Sequence, residues 1–500
     1  MKKYILSIDQ GTTGSRAFIF DAHGRVIASA YQEFKQYYPK PGWVEHDAQE
    51  IWDSVDAGIR KAVKMSRIDP KAIAAIGITN QRETTVVWDR KTARPFYHAI
   101  VWQCRRTAEA CGRLKKHEVL FRKTTGLVVD AYFSGTKIQW LLDHVKGLRE
   151  KTIKGQVAFG TIDSWLIYKL TNGTSHVTDM TNASRTLIFD IKAKAFSKPL
   201  LKLLNIPENI LPKVLPSSSV FGYTAQGVAG LPNGIPITAV MGDQQAALYG
   251  QGCFTPGTIK NTYGTGCFML LNTGRKCIYS KKGLLTTLGC DAAGAPVYVL
   301  EGSVFIAGAV IQWLRDELKM IKDASSSEAM IAGLKDTNGV YLVPAFVGLG
   351  APHWNSDARG IITGLTRGAN ARHIVRAALE SMAYQTKDVF DLMSQESRLK
   401  INSLAVDGGA CRNNFLMQFQ ADMLGIPITR PRMVDSTAAG AAYLAGVSIG
   451  LWKPQDILKI KTIEKIFKPQ MPRLEVKVKY EGWRHAVGQA TILPIAKRRQ

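Results

Sequence analysis

The alternation of apolar and polar positions predicts the same local structure at two places in the chain. Near the start, the apolar runs 4–8 and 17–20 flank a turn rich in glycine and threonine. Residues 258–271 repeat that layout about 250 positions later. Each pattern predicts two strands joined by a tight turn, because glycine adopts the positive φ angles that such turns need. The repeat indicates two related domains that face each other.

Helical and strand patterns alternate between and after these hairpins. Asp47 and Glu50 form a helix-start signal, and apolar residues follow at helical spacing: Ile51, Trp52, Val55, Ile59, Ala62 and Val63. Residues 72–79 predict a buried strand. Further helices are predicted over 304–318, 371–393 and 436–447. This order of elements is typical of a mixed α/β protein.

The length of 500 residues is sufficient for two or three domains with substantial cores. Glycines and a proline interrupt the pattern at 250–257, which favours a boundary there. We therefore expect one domain at 1–250, which carries the first hairpin. A second is expected at 251–500, with the second hairpin and a basic, helical C-terminal tail.

The net charge of +25 is the unusual feature of the composition, and residues 453–500 hold twelve basic but only four acidic side chains. A basic surface favours phosphates, but the sequence contains no nucleic-acid-binding module, so nucleic acid is an unlikely main partner. The seven cysteines are scattered and lack a C-x-x-C pair, which indicates reduced thiols and a cytoplasmic protein. We expect neither a signal peptide nor a transmembrane segment.

The sequence contains none of the common nucleotide-binding or metalloprotease signatures, such as G-x-x-x-x-G-K-[ST] or H-E-x-x-H. The two Gly/Thr turns offer another cradle for phosphate, because they present backbone N–H groups and hydroxyls without bulky side chains. Asp9 ends the first predicted strand, where a carboxylate is suited to hold hydrated Mg²⁺. One such hairpin alone is readily an ordinary turn. Its repetition favours a nucleotide cleft.

Other charged residues also follow predicted strands. Asp243 comes directly after the apolar run 237–241. It could accept a proton from a hydroxyl or bind a metal, or it could cap a helix that begins near Ala246. Arg82 and Glu83 follow the predicted strand at 72–79. They could bind a polyol by donating and accepting hydrogen bonds, or they could form a surface ion pair of little consequence.

Two further sets of residues have both a functional and a structural interpretation. Trp102 and Tyr132 could give a ligand an apolar wall and a hydroxyl, although buried aromatic residues commonly belong to the core. Gly408 and Gly409 follow an apolar run. They would allow a base or a phosphate to approach the backbone closely, or they form a routine connection from a strand to a helix.

Together these segments resemble the FGGY family of carbohydrate kinases, from Asp9 to about Val447. The matching segments are Asp-Gln-Gly-Thr-Thr-Gly-Ser-Arg (9–16), Asn-Gln-Arg-Glu-Thr-Thr (80–85), Val-Trp-Gln-Cys-Arg-Arg (101–106), Tyr-Phe-Ser-Gly-Thr-Lys-Ile-x-Trp (132–140), Gly-Asp-Gln-Gln-Ala-Ala (242–247), Asn-Thr-Tyr-Gly-Thr-Gly-Cys (261–267), residues 360–380 and Asp-Gly-Gly-Ala-x-x-Asn-Asn (407–414). The Arg-Glu pair and the Trp-Gln-Cys-Arg-Arg segment are similar to the family members that phosphorylate glycerol rather than sugars. The resemblance implies an α/β fold with two ribonuclease-H-like domains of the actin-like ATPase type, flanking a central cleft.

The resemblance also implies roles for individual residues. Those that would bind the substrate glycerol are Arg82, Glu83, Trp102, Tyr132, Asp243, Gln244 and Phe268. Those that would contact ATP are Thr12, Thr13, Arg16, Thr265, Gly308, Gln312, Gly409 and Asn413. Asp243 and Asp9 would be the catalytic carboxylates, with Asp243 as the general base, and both would face Mg²⁺.

The expected activity is that of an ATP:glycerol 3-phosphotransferase in glycerol catabolism, with ATP and Mg²⁺ as cofactors and a homodimer or homotetramer as the assembly. Some members of the family carry a Gly-Thr-Arg loop through which fructose bisphosphate inhibits them. Residues 230–234 read Gly-Leu-Pro-Asn-Gly here, so we do not predict that inhibition. The alternatives are a kinase of another polyol or of a sugar such as xylulose, an actin- or Hsp70-like ATPase that controls a partner, and a nucleic-acid-binding protein.

Overall fold

A computed structural model describes residues 3–355 and 357–492. The strands are β1 (Tyr4–Gln10), β2 (Gly14–Phe20), β3 (Val26–Glu33), β4 (Glu45–His46), β5 (Ile73–Asn80), β6 (Val86–Asp89), β7 (Ala99–Ile100), β8 (Val157–Gly160), β9 (Val177–Asp179), β10 (Phe189–Asp190), β11 (Ala195–Phe196), β12 (Lys213–Leu215), β13 (Ser218–Tyr223), β14 (Pro236–Gly242), β15 (Ile259–Tyr263), β16 (Cys267–Gly274), β17 (Leu285–Cys290), β18 (Pro296–Val304), β19 (Tyr341–Val343), β20 (Ile361–Thr363), β21 (Leu404–Asp407), β22 (Ile428–Pro431) and β23 (Ile463–Phe467).

The α-helices are α1 (Ala48–Ser66), α2 (Ala108–Leu114), α3 (Glu118–Thr125), α4 (Ser134–His144), α5 (Leu148–Ile153), α6 (Ile162–Leu170), α7 (Met180–Ala183), α8 (Lys198–Leu203), α9 (Asp243–Gly250), α10 (Gly308–Asp316), α11 (Ser326–Ile331), α12 (Ala371–Ser397), α13 (Asn414–Leu424), α14 (Ser436–Ser448), α15 (Ile457–Ile460) and α16 (Arg473–Ile492). In the part of the chain that the structure describes, no helix combines the length and apolar character needed to cross a membrane.

Two large sheets share the same central arrangement of strands, which confirms the prediction of two related α/β units. The first has the order β13-β14-β5-β1-β2-β3, and the second has the order β17-β18-β16-β15-β21-β22-β23. In each sheet the first hairpin strand, β1 or β15, pairs antiparallel with its partner and parallel with a later strand, β5 or β21. A further parallel strand, β14 or β22, follows on that side. This arrangement is the ribonuclease-H-like topology that the resemblance implied.

The predicted elements are present, with shifted ends that have local causes. Asp47 caps α1, and its carboxylate accepts a hydrogen bond from the Gln49 N–H (2.7 Å). The helix predicted over 304–318 begins only at Gly308, because strand β18 continues to Val304; the N–H groups of Ala307 and Gly308 bond to the second hairpin turn. The strand predicted at 72–79 is β5, and it is buried along its whole length. The basic tail includes α16 and continues into 493–500, outside the described residues.

Helix α14 belongs to the second half of the chain but packs on the first sheet, against β5, β1 and β14, and crosses α9. The contact requires small residues. A Cβ atom on Gly440 would lie 1.9 Å from the carbonyl oxygen of Ala246, and one on Gly250 would lie 2.2 Å from that of Ser436. The two helices therefore touch backbone to backbone, and this contact holds the two halves together behind the cleft.

Candidate functional site

Both hairpin turns are tight and carry an exposed threonine. In the first, the Gly11 N–H donates to the carbonyl oxygen of Gly14 (2.9 Å), and Thr13 is exposed. In the second, the Gly264 N–H donates to the carbonyl oxygen of Gly266 (2.9 Å), and Thr265 is exposed. Backbone N–H groups and threonine hydroxyls of this kind are suited to phosphate oxygens.

Arg16 extends from β2 next to the first turn, and its Nη1 lies 2.7 Å from an oxygen of Asp435. Asp435 directly precedes α14, so the pair connects the two halves of the chain. Both side chains are partly exposed, at 46% and 38%. The guanidinium is therefore accessible to solvent, and an exposed pair of this kind contributes little to stability.

The other residues expected to contact nucleotide lie on α10, which begins beside the second turn, and just after β21. The Gly308 N–H at the start of α10 donates to the carbonyl oxygen of Gly264 (3.0 Å), and Gln312 is exposed one turn later. Gly409 is exposed, with open space where a Cβ atom would stand. Asn413 is already engaged: its side-chain oxygen accepts a hydrogen bond from the Leu416 N–H (2.8 Å) and so caps α13.

Asp9 and Asp243 lie at the same edge of the first sheet. Asp9 is near the carboxyl end of β1, and Asp243 follows the carboxyl end of β14. Strand β5 lies between β1 and β14, parallel to both. Burial raises the pKa of Asp9 to about 6, and the negative charge of Asp243 contributes to the rise. Among the described residues, hydrogen bonds use only Oδ2 of Asp9, from Thr437 (2.7 Å), and Oδ1 of Asp243. Each carboxylate therefore keeps one oxygen for a ligand.

Asp243 is the first residue of α9, which begins three residues earlier than the sequence predicted. Its Oδ1 accepts a hydrogen bond from the N–H of the next residue, Gln244 (2.7 Å), but the N-cap position of α9 is occupied by Gly242, so the interpretation of Asp243 as a helix cap is wrong. The same oxygen lies 3.1 Å from Nε of Arg82, and the side chain remains 31% exposed. Asp243 is thus a partly exposed carboxylate in the first turn of α9, where it can accept a proton or bind a metal.

Arg82 and Glu83 are buried, so the interpretation as a surface ion pair is wrong. The nearest approach between the two side chains is 3.9 Å, because each has another partner. Arg82 makes a bidentate pair with Glu301 on β18, at 2.6 and 3.0 Å. Glu83 accepts a hydrogen bond from Nε of Arg185 (2.6 Å). Glu83 has a φ of 61°, an unusual conformation for a residue with a side chain.

Three charged residues next to this pair were not predicted from the sequence. Glu301 and Arg185 are fully buried and joined at 3.1 Å. The arginines lower the pKa of Glu301 to about 2, although burial alone would raise it. Lys260 is also fully buried, and its ammonium donates to Oε1 of Gln244 (2.5 Å). A single charged residue within the largely apolar strand β18 was the available signal for Glu301, whereas β15 also contains Asn261 and Thr262 and gave no such signal for Lys260.

Trp102, Tyr132 and Phe268 remain partly exposed rather than belonging wholly to the core. The indole N–H of Trp102 donates to the hydroxyl of Thr12 (3.0 Å), so this residue connects the first hairpin turn to the residues expected to bind the polyol. The rings of Trp102 and Tyr132 meet edge to face at 5.6 Å. Burial and the charge of Glu83 raise the pKa of Tyr132, which keeps its hydroxyl protonated as a hydrogen-bond donor.

Two family models match the chain. The N-terminal domain of the FGGY family of carbohydrate kinases matches residues 4–250, and the C-terminal domain of that family matches residues 259–449. A glycerol kinase of Caldanaerobacter subterraneus subsp. tengcongensis is 57% identical over 493 residues, which cover 98% of this chain and 99% of the relative. Glycerol kinase 2 of Thermotoga maritima is 55% identical over 491 residues, with 98% and 99% coverage.

Solved structures give the same result. The Plasmodium falciparum glycerol kinase with ADP has a TM-score of 0.92 at 36% identity, covering 98% of this chain and 99% of that one. A ligand-bound xylulose kinase from Lactobacillus acidophilus has a TM-score of 0.86 at 22% identity, with 98% and 99% coverage. The second likeness concerns the fold alone.

Proposed function

Because the chain belongs to the FGGY family of carbohydrate kinases, we propose that it transfers the γ-phosphoryl group of ATP to a terminal hydroxyl of glycerol. The product would be sn-glycerol 3-phosphate. The proposal is supported above all by the position of Asp243, whose carboxylate contacts Arg82 and is close enough to Asp9 to raise the pKa of that residue. The carboxylate of Asp243 thus lies between Arg82, which is suited to bind a polyol, and Asp9, which is next to the turn suited to bind phosphate.

We assign the polyol side to Arg82, Glu83, Tyr132, Asp243 and Gln244. Glycerol has three hydroxyls, each of which donates and accepts hydrogen bonds, and these side chains supply both types of partner. Trp102 and Phe268 would cover its carbon atoms. A site with buried, charged partners discriminates against an alcohol that lacks one hydroxyl, because the unpaired protein group would lose its hydrogen bond inside the protein.

In the proposed reaction the free oxygen of Asp243 accepts the proton of the attacking hydroxyl. The N–H groups and hydroxyls of the two turns, together with Arg16, stabilise the charge on the transferred group. Phosphoryl transfer depends mainly on such alignment and charge stabilisation. Closure of the cleft would exclude water and suppress hydrolysis of ATP.

Mg²⁺ fits the same place. It is usually held by one or two carboxylates together with waters and substrate phosphates, rather than by a complete protein cage. Asp9 and Asp243 each keep a free oxygen, and no cluster of three or more acidic, histidine or cysteine ligands occurs within residues 3–355 and 357–492. Bound there with ATP, the ion would neutralise phosphate charge.

The remaining assignments are also proposals. We propose a division into domains at 1–250 and 251–500, with Thr12, Thr13, Thr265, Gly308, Gln312, Gly409 and Asn413 on the nucleotide side. We further propose a cytoplasmic homodimer or homotetramer, which light scattering and cell fractionation would test.

The function is tested by a coupled assay that measures ADP release and glycerol 3-phosphate in parallel. Glycerol, xylulose and a no-acceptor control are compared with ATP, each with and without Mg²⁺. Equal amounts of ADP and glycerol 3-phosphate, dependent on both glycerol and Mg²⁺, are expected. Phosphorylation of xylulose in preference to glycerol, or ADP release without a phosphorylated acceptor, would contradict the proposal.

A further inference from the structure

Lys260 and Glu301 lie in one row across the second sheet. Lys260 on β15 is paired with Leu270 on β16, and Leu270 is paired with Glu301 on β18. Directly paired residues project from the same face of a sheet. The row therefore directs one buried cation and one buried anion to the face that carries Phe268, two residues from Leu270 on β16.

The two charged residues of this row contact polyol-side residues from the other half of the chain. Glu301 is bidentate to Arg82, and its Oε1 also accepts a hydrogen bond from Arg185 (3.1 Å), the partner of Glu83. Lys260 donates to Oε1 of Gln244. That bond leaves the NH₂ group of Gln244 available as a donor.

The buried charges restrict the orientation of the Arg82 side chain. Glu301 is the common partner of two buried arginines, and buried guanidinium groups require a hydrogen-bonded counter-charge. A bidentate pair also fixes the plane of the guanidinium, which a single contact does not. With both Nη atoms of Arg82 held by Glu301, its Nε remains directed at Asp243.

We infer that Glu301 and Lys260 are positioning residues for the acceptor: Glu301 orients Arg82 and Lys260 orients Gln244. Neither is assigned a contact with glycerol or ATP. The inference rests on the proposed function and extends it, because two buried charged residues of the second half, in addition to Phe268, would then shape the acceptor site.

The principal test is the steady-state kinetics of Glu301→Gln. The expected result is an increase of about tenfold or more in KM for glycerol, with KM for ATP within twofold of wild type and a smaller change in kcat. A contact that binds the substrate and the transition state equally well contributes to KM and not to kcat. Glu380→Gln is the matched control. Glu380 is a buried glutamate paired with an arginine, Arg376, at 2.8 Å on α12, so its replacement should lower stability without changing KM for glycerol.

A double-mutant cycle distinguishes positioning from general destabilisation. In an Arg82→Lys background, where no bidentate bond can form, Glu301→Gln should change KM for glycerol less than twofold further. A second tenfold increase would overturn the inference for Glu301. Lys260→Met should likewise raise KM for glycerol in the wild-type background but add less than twofold in a Gln244→Ala background, and independent effects would overturn the inference for Lys260.

Glu301→Asp gives a second measurement if the glutamine variant does not fold. It keeps the charge but withdraws the carboxylate by one methylene, so KM for glycerol should stay elevated even where thermal stability recovers. A KM that returns to the wild-type value would overturn the positioning role. The wild-type enzyme in the same assay distinguishes a failure of the proposed function from a failure of this inference. If the wild type does not phosphorylate glycerol, both are overturned. If the wild type is active and Glu301→Gln has an unchanged KM for glycerol, only this inference is overturned.

Discussion

Replacement of Asp243 by asparagine tests the role of the carboxylate while preserving most of its structural contacts. An asparagine oxygen can still accept the hydrogen bond from the Gln244 N–H at the start of α9. The same oxygen can still accept from Nε of Arg82 (3.1 Å in the wild type), so Arg82 loses a charged partner but not the contact, and it keeps its bidentate pair with Glu301. Since the Asp243 side chain is 31% exposed, we expect a stability loss of about 1 kcal/mol or less and a change in KM for glycerol below about tenfold.

The chemical step should respond much more strongly. An amide does not take the proton of the attacking hydroxyl, and a positioned general base contributes roughly 10²–10⁴-fold to the rate. That factor corresponds to about 3–5 kcal/mol of activation free energy. We therefore expect kcat of Asp243→Asn to fall by about 10²–10⁴ while Tm shifts by only a few degrees.

The assay is glycerol 3-phosphate formation at saturating ATP and glycerol, with Tm measured on the same preparations. Asp47→Asn is the matched control, because Asp47 also accepts a backbone hydrogen bond at a helix start but lies outside the proposed site. It should retain wild-type kcat. A kcat for Asp243→Asn within tenfold of wild type would refute the assignment of this carboxylate as the base.

Three further predictions concern the surroundings of the site. Arg16→Ala should lower kcat by about tenfold or more while leaving Tm nearly unchanged, since its exposed ion pair contributes about 0–1 kcal/mol to stability; equal activity would remove Arg16 from the phosphate site. Gly408→Ala should lower the free energy of unfolding by about 2 kcal/mol or more in urea titrations, because φ of Gly408 is 85° and the new Cβ would lie 2.5 Å from the carbonyl oxygen of Tyr263. Gly409→Ala is the control, since its Cβ would stand in open space, and it should change the free energy of unfolding by less than about 1 kcal/mol. Burial lowers the pKa of Lys137 to about 7, so between about pH 7 and 10 the unfolded chain binds one proton more than the folded protein. The free energy of unfolding should therefore rise by up to about 1.4 kcal/mol per pH unit in that range. Lys137→Met should remove this part of the pH dependence, and an identical pH dependence in the variant and the wild type would contradict the burial argument.

Features encoded by neighbouring residues were predictable from the sequence. The two hairpins followed from apolar runs around Gly/Thr turns, and their strands occur as β1–β2 and β15–β16. Asp9 and Asp243 were recognised because a carboxylate directly after an apolar strand marks a sheet edge. In both cases a few consecutive residues carry the whole signal.

Contacts between distant residues were not predictable in this way. Arg82 and Glu301 are 219 positions apart, and nothing near either residue specifies the other. The interpretation of Arg82 and Glu83 as adjacent partners failed for the same reason: Arg185 and Glu301 compete for them once the chain is folded. The start of α9 was placed too late because apolar periodicity begins at Ala246, whereas the helix already includes the polar residues 243–245.

The glycine crossing of α9 and α14 bears on how the chain can be divided. The apolar surface of the first sheet is completed by a helix that the ribosome makes about 190 residues after α9. A fragment that ends at residue 250 would expose the alanine-rich groove in which α14 lies, and we expect it to aggregate unless the 436–448 segment is supplied. The halves resemble each other in topology, yet the first sheet is covered by a helix of the second half, so we expect that the first half cannot be exchanged as an independent module.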